Sequence, residues 1–141
     1  MSIIKALQDF LCTFDGMEMQ AIPMVLTDRP DETPSSFALA PSGNGRTETD
    51  LCGNRTHQNS YVFYAKASAA DEIDRQDNYS FLEGLSEWLE EQDAAGNYPD
   101  LPTGCEVEGI EVSNAMLFDL TEDGAGLYQV QIQLIYTKLK G

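Results

Sequence analysis

One stretch constrains the fold more than any other. Tyr128, Val130, Ile132, Leu134 and Tyr136 alternate with Gln129, Gln131 and Gln133. Successive side chains of a strand point to opposite faces, so this spacing predicts a strand with one face in a core and a wet, neutral face opposite. Whatever covers its sheet must therefore lie on one side.

The remaining segments supply that cover. Ile3, Ile4, Leu7, Phe10, Leu11 and Phe14 recur at helical spacing, and Gly16 is placed to stop the helix. Ala21 to Leu26 reads as a short strand, and Pro23 puts it at an edge or a strand start because proline cannot donate to a ladder. Residues 28–34 read as a polar turn and SSFALA as a second short strand. Residues 41–56, rich in Gly, Ser, Thr and Asn, read as a long flexible loop. In residues 58–67, Tyr61, Phe63 and Ala65 share one face and Val62 and Tyr64 the other, as in a central strand or one covered by a partner.

Residues 78–95 form the clearest helical pattern. Phe81, Leu82, Leu85, Trp88 and Leu89 fall on one side at 100° per residue, and Glu83, Glu87, Glu90 and Glu91 on the other. Ser80 with Glu83 fits a capping box at the start, with Asp77 and Asn78 as alternative caps. Gly96 is a natural C′ residue, with Pro99 and Pro102 beyond it. A strand over 106–119, carrying Val107, Ile110, Val112, Met116 and Phe118, meets the last one across an Asp123-Gly124 turn. The expected fold is α+β: a mainly antiparallel sheet with two helices on one face.

The chain has 141 residues, enough for one core, and is expected to be a single domain over 1–141. Eight basic against 24 acidic residues leave a net charge of −16. Ten acids and one base, Arg75, lie in residues 71–100, for a local net of −9. A surface this acidic argues against stable duplex DNA binding, which needs cations to displace counterions, and against a polybasic membrane contact. The apolar N-terminal stretch is broken by Lys5, Gln8 and Asp9 and lacks a signal peptide's cleavage pattern, and no run has a membrane span's length.

Candidate chemistry is sparse. Cys12, Cys52 and Cys105 are odd in number, far apart and without a CxxC pair, which suits free thiols in a reducing compartment. His57 is the single histidine, and no spacing ties it to Cys52 or a carboxylate. Asp119, Glu122 and Asp123 before Gly124 lack the spacing of a calcium loop and suit a hairpin better. Gly43 to Arg46 has no GK[ST] to make a phosphate loop. The sequons at Asn54 and Asn78 match by composition alone. The glutamate face at 83, 87, 90 and 91 reads as solvated surface rather than an acid/base pair or a cation site, and Trp88 as a core anchor packed on the sheet. No catalytic, cofactor-binding or metal-binding residue is expected.

From Ser35 onward the chain resembles a family of phage and prophage minor capsid or tail-terminator-like proteins. The resemblance runs through SSFALAPSGNGRTETDLCGNRTHQNSYVFYAKA, then NYSFLEGLSEWLEEQDAAGNYPDLPTG, then IEVSNAMLFDLTEDGAGLYQVQIQLIYTK. The helix ending EWLEEQ, the Gly and Pro residues after it, and the IEV and YQVQ strands are its most distinctive part. It implies a non-enzymatic virion protein of the head–tail junction: a small α+β subunit that oligomerises and caps or completes the tail. The partners implied are further copies of itself, commonly in a hexameric ring, and the tail-tube and neck proteins. Such a protein would reside in the bacterial host cytoplasm during assembly and then in the virion. A monomeric acidic adaptor for a basic protein is the alternative.

Overall fold

The computed structural model describes residues 3–14, 25–27, 36–42, 45–68, 72–120 and 125–139. In chain order the elements are α1 (Ile3–Leu11), β1 (Val25–Thr27), β2 (Ser36–Pro41), β3 (Arg46–Thr49), β4 (Arg55–Ser68), α2 (Glu72–Ala95), β5 (Cys105–Leu120) and β6 (Ala125–Lys138). The sheet runs β1-β2-β4-β6-β5, and β3 pairs with the start of β4. Pairing is antiparallel except between β1 and β2. Two helices and this sheet make an α+β fold, as expected, with β1 at an edge.

The alternating strand is the centre of the sheet. β6 lies between β4 and β5 and pairs with β4 without interruption from Arg55–Lys138 to Ser68–Ala125. Tyr128, Val130, Ile132, Leu134 and Tyr136 are all 7% exposed or less. Phe37 and Leu39 of β2, Tyr61, Phe63 and Ala65 of β4, and Ile110 of β5 continue that face. Leu7 and Leu11 of α1 and Leu82, Leu85 and Leu89 of α2 close over it in one cluster. Gln131 is exposed on the other face, and Ser60, Val62, Tyr64, Gln129 and Gln133 are half-buried there. None of them joins the core cluster.

β5 is the opposite edge strand. Its pairing with β6 shifts register at Val107/Gly109, Ser113/Met116 and Leu117/Asp119. Bulges twist an edge away from partners, and the exposed Glu106, Glu108 and Glu111 add charge to it. Both features oppose edge-to-edge pairing with another β5.

Helix α2 begins at Glu72, six residues before the expected start, so Ser80 lies inside the helix and does not cap it. A capping box is a local signal, and polar residues such as Ser and Asn cost little inside a helix whose next turns are anchored by packing. The C-terminus ends as expected. Gly96 has φ +75°, its N–H donates to the Asp93 carbonyl at 3.2 Å, and the Asn97 N–H donates to the Gln92 carbonyl at 2.9 Å. These are the paired bonds of a Schellman cap.

Trp88 is half-buried and does not serve chiefly as an anchor on the sheet. Its ring lies 5.1 Å from that of Phe10 and 5.4 Å from that of Phe14. At 100° per residue Phe81 and Trp88 lie together about 80° to one side of the centre of the Leu82, Leu85 and Leu89 stripe. The leucines therefore meet the sheet, Phe81 lies between Phe37 of β2 and Phe14 after α1, and Trp88 meets Phe10 and Phe14.

Residues 41–56 are not one long irregular loop. Pro41 ends β2, and the Ser42 N–H bonds to the Ser60 carbonyl at 2.9 Å. β3 then pairs antiparallel with β4 from Arg46–Gln58 to Thr49–Arg55. The Gly, Ser and Asn content that reads as loop belongs to the short link before β3 and to the turn at 50–54. Between them RTET has β4 as a ladder partner, and pairing overrides composition. The turn is held by Asp50, whose Oδ1 accepts from the Cys52 N–H at 2.8 Å and the Asn54 N–H at 2.9 Å. Gly53 follows at φ +87°, a conformation other residues resist.

Gly16, Pro23, the 28–34 turn and Asp123-Gly124 lie outside the described residues, as do the side chains of Met116 and Phe118.

Candidate functional site

His57 sits on β4 with its ring stacked on Tyr136, centroids 5.0 Å apart. Its Nδ1 lies 3.1 Å from the Thr47 hydroxyl on β3. A hydroxyl beside an imidazole is half of a nucleophile–base pair, but a working pair also needs a third group to orient the base. Among the described residues neither a carboxylate nor a thiol is hydrogen-bonded to His57. Thr47 lies on a strand exposed along its whole length.

Next to His57 is a small polar cluster at the end of the core face. The Asn59 side-chain N–H donates to the Tyr61 hydroxyl at 3.2 Å and to that of Tyr136 at 3.5 Å. Burial pushes both phenols above their ordinary pKa, and the bond from Asn59 partly offsets the rise. These tyrosines stay neutral hydrogen-bonding groups at physiological pH. Toward the other end of β6, the Tyr128 hydroxyl is buried with no hydrogen-bond partner among the described residues, while its ring meets that of Tyr79 edge-on at 5.3 Å.

Glu83, Glu87, Glu90 and Glu91 are exposed along α2. Cys52 is exposed, Cys12 and Cys105 are half-buried, and none of the three forms a disulfide. Among the described residues no three His, Cys, Asp or Glu side chains gather as a metal ion would require. No helix there is long and apolar enough to cross a membrane.

Sequence reading missed Asp93. Its Oδ1 accepts from the Tyr98 hydroxyl at 2.7 Å and from the Ile110 N–H at 3.1 Å. The bond from Tyr98 is also what chiefly raises that phenol's pKa. One carboxylate thus ties the end of α2 to the edge strand β5 and to the chain leaving the helix. A signal was present: an acid in a helix's last turn faces the negative end of the dipole, so it needs partners elsewhere. Asp93→Ala is expected to destabilise the fold by about 1–3 kcal/mol, because it strands the Ile110 N–H, while the Tyr98 hydroxyl keeps its bond to the main-chain carbonyl of residue 93 at 3.1 Å. Urea unfolding followed by Trp88 fluorescence measures this; an unchanged midpoint would show the bonds to be replaceable by water.

Two grooves stand out among the described residues. The larger, about 720 Å³, runs past β4, β6 and β5 and is lined in part by Ser60, Gln131, Gln133, Glu111, Glu90 and Asp93. It offers hydroxyls, amides and carboxylates. The smaller, about 280 Å³, has Ala6, Phe10, Tyr98 and Pro99 in its walls and Asp9 and Asp100 at its rim. Away from both, Leu51 at the β3–β4 turn is 107% exposed, fully in water.

No protein-family model matches the chain, and no curated protein sequence matches it.

Proposed function

We propose that this protein is a non-enzymatic structural subunit of a phage or prophage virion, oligomerising at the head–tail junction to cap or complete the tail. The observation that carries the reading is the layering: both helices pack on one face of the sheet, leaving Ser60, Val62, Tyr64 and Gln131 on a face that no described helix covers. Such a subunit has surface to give to neighbours. Repeated heterologous contacts close into a ring when their rotation closes. The net charge of −16 suits a ring through which DNA passes, since like charge keeps the genome from adhering. The subunit would assemble in the bacterial cytoplasm and end in the virion, with tail-tube and neck proteins on either side.

Light scattering and negative-stain imaging test this, on the protein alone and mixed with purified tail tubes. The expected result is a ring with a central opening, alone or seated on tube ends. A monomer at every concentration that leaves tube ends bare would refute it. Duplex DNA is expected not to shift in a gel even at about 50 mM salt, where electrostatic binding is strongest. A micromolar, salt-sensitive complex would contradict the channel role.

The four exposed glutamates of α2 favour one alternative, a monomeric adaptor for a basic protein. The same scattering experiment separates the two, because an adaptor forms a one-to-one complex without self-association.

A further inference from the structure

We propose that the β3–β4 turn is a preformed knob whose socket is the smaller groove of a second copy of this chain. The inference rests on the self-assembly reading and gives it a contact.

Leu51 is the most exposed large apolar side chain among the described residues. It does not sit on a slack loop. Asp50 Oδ1 holds the Cys52 and Asn54 N–H groups, the Asp50 N–H bonds to the Asn54 carbonyl at 2.9 Å, and the Gly53 N–H bonds to the Asp50 carbonyl at 3.1 Å. A turn so tied cannot fold back to shelter its leucine, so cover has to come from outside. Rigid display also lowers the entropy lost when that cover arrives.

The groove has matching chemistry. Ala6, Phe10, Tyr98 and Pro99 give it apolar walls, and about 280 Å³ accommodates one aliphatic side chain with part of its turn. It too is fixed in advance. The Tyr98 hydroxyl is held by Asp93, and Thr13 Oγ1 donates to the Phe10 carbonyl at 2.6 Å. Charge sets the orientation. At the knob's base Arg46 pairs with Glu48, while Arg55 is exposed and has no ion pair among the described residues. At the groove's rim Asp9 pairs with Lys5, while Asp100 is exposed and has none among the described residues. Exposed Asp50 in the turn and exposed Lys138, the cross-strand partner of Arg55, also lack an ion pair among the described residues, so Arg46, Arg55 and Lys138 outnumber Glu48 and Asp50 and leave the knob's base net positive opposite the unpaired Asp100 of the socket. On a chain this acidic most surfaces repel their copies, so a patch of opposite sign selects where two copies meet.

The test uses the full chain, alone and with tail tubes. Leu51→Asp leaves the core untouched and is expected to weaken self-association roughly 10- to 100-fold, as losing one buried leucine would. Arg55→Glu should weaken it too, and adding Asp100→Arg should restore it. Cys52, beside the knob, reports the contact directly. With Thr13→Cys at the socket and Cys12 and Cys105 replaced by serine, diamide should link neighbouring copies into a covalent ladder that Cys52→Ser abolishes. If copies assemble equally well with Leu51→Asp and no ladder forms, the knob and socket are refuted while the self-assembly reading survives. If the unaltered chain never assembles, both fall.

Discussion

Phe63→Ala is expected to lower stability by about 3–5 kcal/mol, the cost of deleting a large side chain from a closed core. Phe63 is fully buried on β4 at the middle of the covered face. Its ring stacks on that of Phe37 at 5.6 Å, and Phe37 in turn stacks on Phe81 at 5.2 Å. The stack therefore runs from β4 through β2 to α2. Alanine would leave a cavity that neither the ladder to β6 nor the ladder to β2 can collapse without breaking register. Denaturant unfolding by circular dichroism checks the figure, and a loss below about 1 kcal/mol would mean the core repacks freely.

Trp88→Ala should cost about 2–4 kcal/mol, at or below the usual range for tryptophan because the ring is only half-buried. Its character should differ from that of the Phe63 change. Trp88 bridges α1 and α2 through Phe10 and Phe14, whereas the leucine stripe that seats α2 on the sheet stays intact. Hydrogen exchange should therefore show α1 losing protection while β4 and β6 keep theirs. Equal loss in α1 and the central strands would mean that the two helices and the sheet unfold only together.

The parts of this fold readable in the sequence were those where one local pattern met one burial demand. Strict alternation in β6 named its buried row, because the side-chain period of a strand is two whatever its neighbours are. Gly96 named the end of α2, because few other residues adopt its left-handed φ. The parts not readable depend on partners distant in sequence. RTET becomes β3 only because β4 lies beside it, and the parallel pairing of β1 with β2 has no local signature. The surface chemistry followed the same division. His57 could be judged in advance to lack a spaced partner. Asp93 and the groove at Tyr98 exist only where the end of α2, the chain after it and a neighbouring element converge.

The place of β6 has a kinetic meaning. It is the last described element in the chain, yet it separates β4 from β5, which share no ladder of their own. Half of the sheet's long pairings therefore span the whole of α2 and β5, and none can form while those residues are still being synthesised. Until β6 arrives, the row from Phe37 to Phe63 and the leucines of α2 have no finished surface to close on. A polypeptide wired this way pays loop-closure entropy before it gains contacts, so it folds late and in one cooperative step. Under the proposed self-assembly, late closure would act as a timer: the chain would not be a competent building block until its central strand has docked.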